Sequence, residues 1–200
     1  VFEHVLVIGA EVQSTAMDIS TRGRDTAVIF GDGAGVAVVS ASEDDSGILS
    51  AHLHSEGKHC RELWVEAPSS GVVPRLNQDI LDEGKHFLQM NGREVFRHAV
   101  TRFPEVIMEG LNENNLCTED IDLLVPHQAN IRIAQMIQKR LKLNDDQVYS
   151  NIHKYGNTTA ASIPIALCEA VDAGRINKGD LVVFAAFGSG FTWASAIVKW

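Results

Sequence analysis

Two distant stretches of this chain follow one pattern, and that duplication limits the possible folds more than any other feature. Ala27-Val28-Ile29-Phe30-Gly31-Asp32-Gly33-Ala34-Gly35-Val36-Ala37-Val38-Val39 recurs in outline as Leu181-Val182-Val183-Phe184-Ala185-Ala186-Phe187-Gly188-Ser189-Gly190-Phe191-Thr192-Trp193 and the apolar residues that follow. Each reads as an apolar strand, a Phe-Gly-x-Gly turn and a second apolar strand. If each unit closes with such a hairpin, residues 1–45 are the end of one unit and residues 46–200 are the whole of the next. Between the hairpins, short apolar runs (Ile121–Val125, Gln147–Asn151) alternate with helical patterns (Gly92–Leu111, Ile131–Leu141, Thr158–Ala173). That alternation predicts an α/β fold with helices packed on a buried sheet. Pro164 is expected as an early-turn residue or a kink, and Glu43–Gly47 and Ala67–Pro74 read as loops.

The run Ile121–Val125 delivers Pro126 and His127 at its C-terminal end, where α/β folds place their ligands. Taken alone, this segment is served equally by a hydrogen-bonded structural histidine. Thirty residues on, Tyr155-Gly156-Asn157 turns into a helix, and the local pattern favours Asn157 as a capping residue. Two polar groups at neighbouring strand-to-helix turns can still converge on one ligand atom. A neutral imidazole and a carboxamide would then offer two donors to an enolate or oxyanion.

The motifs Pro126-His127-Gln128-Ala129-Asn130-Ile131-Arg132-Ile133, Gly156-Asn157-Thr158-Thr159-Ala160-Ala161-Ser162, Phe187-Gly188-Ser189-Gly190-Phe191-Thr192-Trp193 and Ile29–Gly35 resemble those of β-ketoacyl-acyl carrier protein synthase III. They stand in that family's order, and the resemblance runs from Val7 to Trp200. It implies a thiolase-like fold of duplicated α/β units, five-layered (αβαβα) in the complete enzyme, with a Cys-His-Asn site. In such a site a cysteine thiolate takes an acyl group from acyl-CoA. Malonyl-acyl carrier protein then enters, and His127 and Asn157 match the donors to its thioester carbonyl while CO₂ leaves. The product is a β-ketoacyl-acyl carrier protein, at the start of fatty acid synthesis.

The resemblance also implies an oxyanion-hole backbone N–H at Ser189, which stands where a glycine is common. It matches Arg24 to the residue stacking on the adenine of coenzyme A, Gly92 and Phe96 to the pantetheine tunnel, and Asn130 and Arg132 to the pantetheine arm and phosphate end. It implies a homodimer, acyl-CoA and malonyl-acyl carrier protein as partners, and no cofactor beyond the thioester substrate. Cys60, Cys117 and Cys168 all lie outside the family's cysteine motif, so the nucleophile is expected upstream of Val1. Cys168, inside the helical run Ile163–Val171, is expected to be packed. Two further readings are a related thiolase-fold acyltransferase with another acceptor and a non-catalytic thiolase-like subunit. The joint presence of His127, Asn157 and Arg132 weighs against the latter.

Composition narrows the rest. A formal net charge of −9 disfavours nucleic acid as a partner. Three unpaired, widely spaced cysteines suit a reducing compartment, and no apolar run approaches the ~20 residues of a membrane-spanning helix. A soluble cytoplasmic protein is expected. No dinucleotide or phosphate-loop glycine motif is present. His52, His54, His59 and Cys60 cluster in sequence, but their spacing is not that of a closed zinc site, and a polar face on an exposed strand explains them. Residues 131–143 carry Arg132, Lys139, Arg140 and Lys142 and no acid, with Ile133, Ala134, Ile137 and Leu141 on one stripe. A solvated basic face is the ordinary meaning. Beside a tunnel mouth, Arg132, Lys139 and Lys142 would also suit docking of the acidic carrier protein.

Overall fold

The computed structural model describes residues 2–200. The apolar residues Val5 to Ile8 lie in β1 (His4–Glu11), which is followed by the single-turn α1 (Arg24–Ala27) and by β2 (Gly33–Ser40). β1 and β2 form an antiparallel two-stranded sheet whose register sets Gly9 opposite Gly35. Both glycines are required by close approach. A Cβ on Gly9 would lie 2.2 Å from the carbonyl oxygen of Ala160, and one on Gly35 would lie 2.6 Å from Pro164 Cβ.

The first Phe-Gly-x-Gly segment is not the hairpin its sequence suggests. Ala27 closes a helical turn onto Gly23, and Ile29 N–H donates to Thr26 O. Phe30 makes only an isolated parallel bridge to Asn157, so β2 takes β1 as its partner. A run of four apolar residues fits a helical turn as well as a strand, and here the local hydrogen bonds decide.

Next come β3 (Gly47–Ser55), β4 (Leu63–Val65), α2 (Gln78–Asp82), β5 (Leu88–Met90) and the long α3 (Gly92–Glu113). Then follow β6 (Leu123–Pro126), α4 (Ile131–Leu141), the single-turn α5 (Ile152–Tyr155), α6 (Ser162–Asp172), β7 (Leu181–Gly188) and β8 (Thr192–Lys199). The main sheet has the order β3-β8-β7-β6, with only the β6–β7 pair parallel. β6 is apolar and buried throughout because helices cover both faces of its sheet. β4 and β5 form a separate small antiparallel ribbon.

Four layers result. The β1–β2 sheet rests on α6; α6 packs through Ala166 and Ala170 against Leu123, Val125 and Val182 of the main sheet. On the far face, Phe103, Ile107 and Leu111 of α3 meet Ile133, Ile137 and Leu141 of α4 over Val183, Ala185, Phe187 and Ile197. α4 spans the residues its sequence predicts because its ends are marked. Asn130 caps its start by accepting from Arg132 N–H at 2.9 Å, and Lys142 stops it in the left-handed region at φ 58°.

Two further expectations are corrected. Gln147–Asn151 is not a strand: residues Asp145–Gln147 form a 3-10 turn closed by the Asn144–Gln147 capping box, leaving Val148 one bridge to Leu124. Cys168 is exposed rather than packed. Ala166 and Ala170 face the main sheet, and a residue two positions from each points to the other side of the helix.

Candidate active site

β6 ends at Pro126, and His127 follows with its N–H donating to Ala185 O of β7 at 2.8 Å, so the imidazole is fixed at the C-terminal edge of the main sheet. Gln128 is buried and ties this turn to the next one. Its Nε2 donates to Pro126 O at 2.7 Å, while its Oε1 accepts from Ser150 Oγ at 3.0 Å and from Asn151 N–H at 3.1 Å. Asn157 is positioned from the other side. Its N–H donates to Ile29 O and its carbonyl accepts from Gly31 N–H, both at 2.9 Å. Gly156 supplies the φ of +68° that lets the chain reach this bridge.

One inward-facing polar atom of each side chain is already engaged. His127 Nδ1 lies 2.6 Å from Ser162 Oγ, and Asn157 Oδ1 accepts from Thr159 N–H at 2.9 Å. The second contact orients the carboxamide, leaving Nδ2 as the group that faces outward. Burial pushes the His127 pKa down from 6.5 to about 4, because the charged ring would lose its hydration. The imidazole is therefore neutral at pH 7.

Both side chains open into one cavity of about 800 Å³. Its walls are mainly apolar: Leu63, Leu88 and Met90 from the small ribbon, Val95 and Phe96 from α3, and Trp193 from β8. A mostly apolar cavity with a few convergent polar groups is what a small-molecule or thioester site requires. Arg102 stacks over Trp193 at 4.8 Å from behind, fixing that wall.

The structure brings His127, Asn157, Asn130, Gly92, Phe96 and Ser189 together around the cavity. Ser189 lies in the tight β7–β8 turn, where Gly190 and Phe191 both take positive φ. Phe96 also packs against the core, so it serves as wall and core at once. A Cβ at Gly92 would meet nothing closer than Met90 Cε at 3.8 Å, so backbone crowding does not demand glycine there. Arg24, Arg132, Lys139 and Lys142 do not line the cavity. Arg24 is exposed beside Asp25, Arg132 and Lys139 are exposed on α4 and Lys142 just past its end, Arg132 being two residues beyond the lining Asn130.

His52 and His54 do not meet His59 and Cys60; they reach Glu113 at 2.7 Å and Glu109 at 2.6 Å on α3. Candidate ligand atoms of Glu56, His59 and His98 lie within 4.8 Å of one another. Their surroundings oppose a divalent cation, since Lys58 and Arg102 already pair with Glu56, at 2.5 and 3.1 Å, and Arg97 approaches His98 at 3.1 Å. Those ion pairs, Lys58 foremost, also hold the Glu56 carboxyl down at about 2.

With this geometry in place, known proteins decide the family. Family models match residues 1–57 (3-oxoacyl-[acyl-carrier-protein] synthase III) and residues 111–200 (the C-terminal region of the same synthase). A β-ketoacyl-[acyl-carrier-protein] synthase III of Clostridioides difficile is 46% identical over the full chain, which covers 59% of that relative; one of Caldanaerobacter subterraneus is 45% identical with the same coverage. The chain belongs to the synthase III family. It superposes on the crystal structure of a Thermus thermophilus β-ketoacyl-[acyl carrier protein] synthase III with a TM-score of 0.89 at 43% identity, covering 99% of this chain and 59% of that one. The fold is thus thiolase-like α/β, and the chain spans about three-fifths of the length of the synthase III relatives it matches.

Ser162 and Thr159 N–H, which contact the two polar side chains, carry no sign of that role in the local sequence. Both fall inside the quoted Gly156–Ser162 motif, and only the tertiary meeting of that motif with His127 shows their use. Leu88 and Met90 were missed because a three-residue strand leaves no periodic signal.

Proposed function

We propose that this chain forms the condensation half of a β-ketoacyl-acyl carrier protein synthase III site, in a protein that joins an acyl-CoA primer to malonyl-acyl carrier protein. The observation that carries the reading is the pair His127 and Asn157. Each has one polar atom engaged by the α6 turn and lines one apolar cavity. Two donors on a malonyl thioester carbonyl stabilise the enolate that forms as the C–C bond to the carboxylate breaks and CO₂ departs. The enolate carbon then attacks an acyl-cysteine thioester, forming a C–C bond and releasing the thiolate. The acyl-bearing cysteine lies outside this chain, and the Ser189 N–H would hold the oxyanion of the acyl transfer.

In the same proposal, Gly92, Phe96 and Asn130 flank the pantetheine arm, and Arg132 and Arg24 meet the phosphate and adenine ends of coenzyme A. Exposed Arg132, Lys139 and Lys142 would steer the acidic carrier protein to the mouth. A cytoplasmic homodimer with no cofactor beyond the thioester belongs to this reading, as does a boundary near residue 45 between two thiolase-like halves. Among the described residues no helix is long and apolar enough to cross a membrane.

The test is made in the complete protein. His127→Ala and Asn157→Ala should each slow decarboxylation of malonyl-acyl carrier protein roughly a hundredfold or more, while stoichiometric acylation by labelled acyl-CoA persists. Wild-type condensation rates in either variant would remove that residue from the mechanism.

A further inference from the structure

We propose that Ser162 is a positioning residue whose hydroxyl donates to His127 Nδ1 and so holds the imidazole as the tautomer protonated at Nε2, the nitrogen that serves the cavity. The catalytic consequence rests on the proposed function; the tautomer itself does not.

Ser162 is buried, with 2% of its surface exposed, at the first position of α6. Among the described residues its Oγ has two partners, His127 Nδ1 at 2.6 Å and the backbone N–H of Gln128 at 3.3 Å. Gln128 N–H can only donate, so it takes up an oxygen lone pair and cannot receive the serine proton. If Nδ1 carried the ring proton, it would also donate to Oγ, and the buried O–H would have no acceptor, a costly arrangement. The serine proton must therefore go to Nδ1, and the ring proton to Nε2. A cation at this ring is opposed as well, because Nδ1 lies at the N-terminus of α6, where the helix dipole is positive. Among the described residues no charged or titratable group hydrogen-bonds to Nδ1, Arg132 on the adjacent helix being exposed to solvent. Asn157 uses the same device, with Thr159 N–H in place of the serine. The two donors are thus oriented by partners five and two residues along a single turn, which couples the condensation geometry to the packing of α6.

Nitrogen-15 NMR of histidine-labelled complete protein at neutral pH reads the tautomer directly, with His127 assigned by the signals lost in His127→Gln. The wild type should show a bare Nδ1 and a protonated Nε2. Ser162→Ala should shift the ring toward the Nδ1–H form or into exchange between forms, and should lower malonyl-acyl carrier protein decarboxylation at least about tenfold with the acylation step unaltered. Ser162→Thr, which keeps the hydroxyl, should keep the wild-type tautomer. A protonated Nδ1 in the wild type overturns the proposal whether or not the variants fold. So does a Ser162→Ala protein with unchanged ring signals and decarboxylation. If the complete protein decarboxylates no malonyl thioester, the proposed function fails, while the spectrum still judges the serine.

Discussion

The β1–β2 sheet and the β7–β8 hairpin are built from nearly the same apolar alphabet, yet they stand in opposite surroundings. In the second, Val182, Val183 and Ile197 are fully buried, with α6 on one face and α3 and α4 on the other. In the first, α6 covers one face only at its Gly9–Gly35 end, leaving Val5 and Val7 about half exposed, and the other face presents Leu6, Ile8, Val36 and Val38 at 56–64% exposure. An apolar face of this size is uncommon on a monomeric surface. A strand pattern thus records the layers it was made to face, whether or not the same chain supplies them. On this contrast, stability resides in the main sheet and the helices that sandwich it, and the β1–β2 sheet is held through its α6 side.

The largest effect that could break this contrast is in the core between the main sheet and α3. Phe103 of α3 has no exposed surface and packs beneath the main sheet. Phe103→Ala should cost about 3–5 kcal/mol of unfolding free energy, the range for an aromatic removed from a filled core. Urea titration followed by circular dichroism measures it. A cost below about 1 kcal/mol would mean that this core is looser than its burial indicates.

A smaller effect sharpens the comparison at the seam where the two regions meet, beside His127. The folded protein protonates this ring only near pH 4, because burial disfavours the charged form, whereas the unfolded chain binds the proton below about 6.5. Between those values the unfolded state holds more protons. The contribution is thus complete above about pH 6.5 and is lost as pH falls toward 4, by up to about 3 kcal/mol. The carboxyls of Asp18, Glu56 and Glu169, held at about 2 by their hydrogen bonds and ion pairs, act in a lower window, as pH falls from about 4.5 toward 2. Comparing wild type with His127→Gln isolates the upper window. An identical loss in both proteins between pH 6.5 and 4 would show that His127 titrates without strain.

What could be read from the sequence follows the reach of each signal. α4 was legible because its apolar stripe and its sequence of bases lie within one segment. β6 and His127 were legible because a buried strand in an α/β fold is a continuous apolar run that points its next polar residue at the site. The run Ala27–Phe30 was not, since four apolar residues suit a turn of helix equally well and the bridge to Asn157 is tertiary. Cys168 was misjudged because Ser162–Asp172 is apolar nearly all round, so the sequence alone does not say which side meets the sheet. The pairing of Ser162 with His127 spans 35 residues and rests on a single proton, which no pattern of residue types encodes.

The smallest expected effect tests the other side of the contrast. Leu6 sits opposite Val38 on the outward face of β1–β2, and 63% of its surface is exposed. A side chain that keeps most of its water contact in the folded state gains little from folding. Leu6→Ser should therefore change the stability of this 200-residue chain by no more than about 0.5 kcal/mol. The same change should raise its solubility, because it interrupts a continuous apolar patch on a sheet whose edges can pair with other chains. Denaturant titrations at two protein concentrations distinguish the possibilities. A small and concentration-independent change supports a face that is uncovered in this chain. A loss above about 1.5 kcal/mol that grows with concentration would mean that copies of the chain bury Leu6 against one another. The difference between the two strand pairs would then lie in what covers them in solution rather than in whether they are covered.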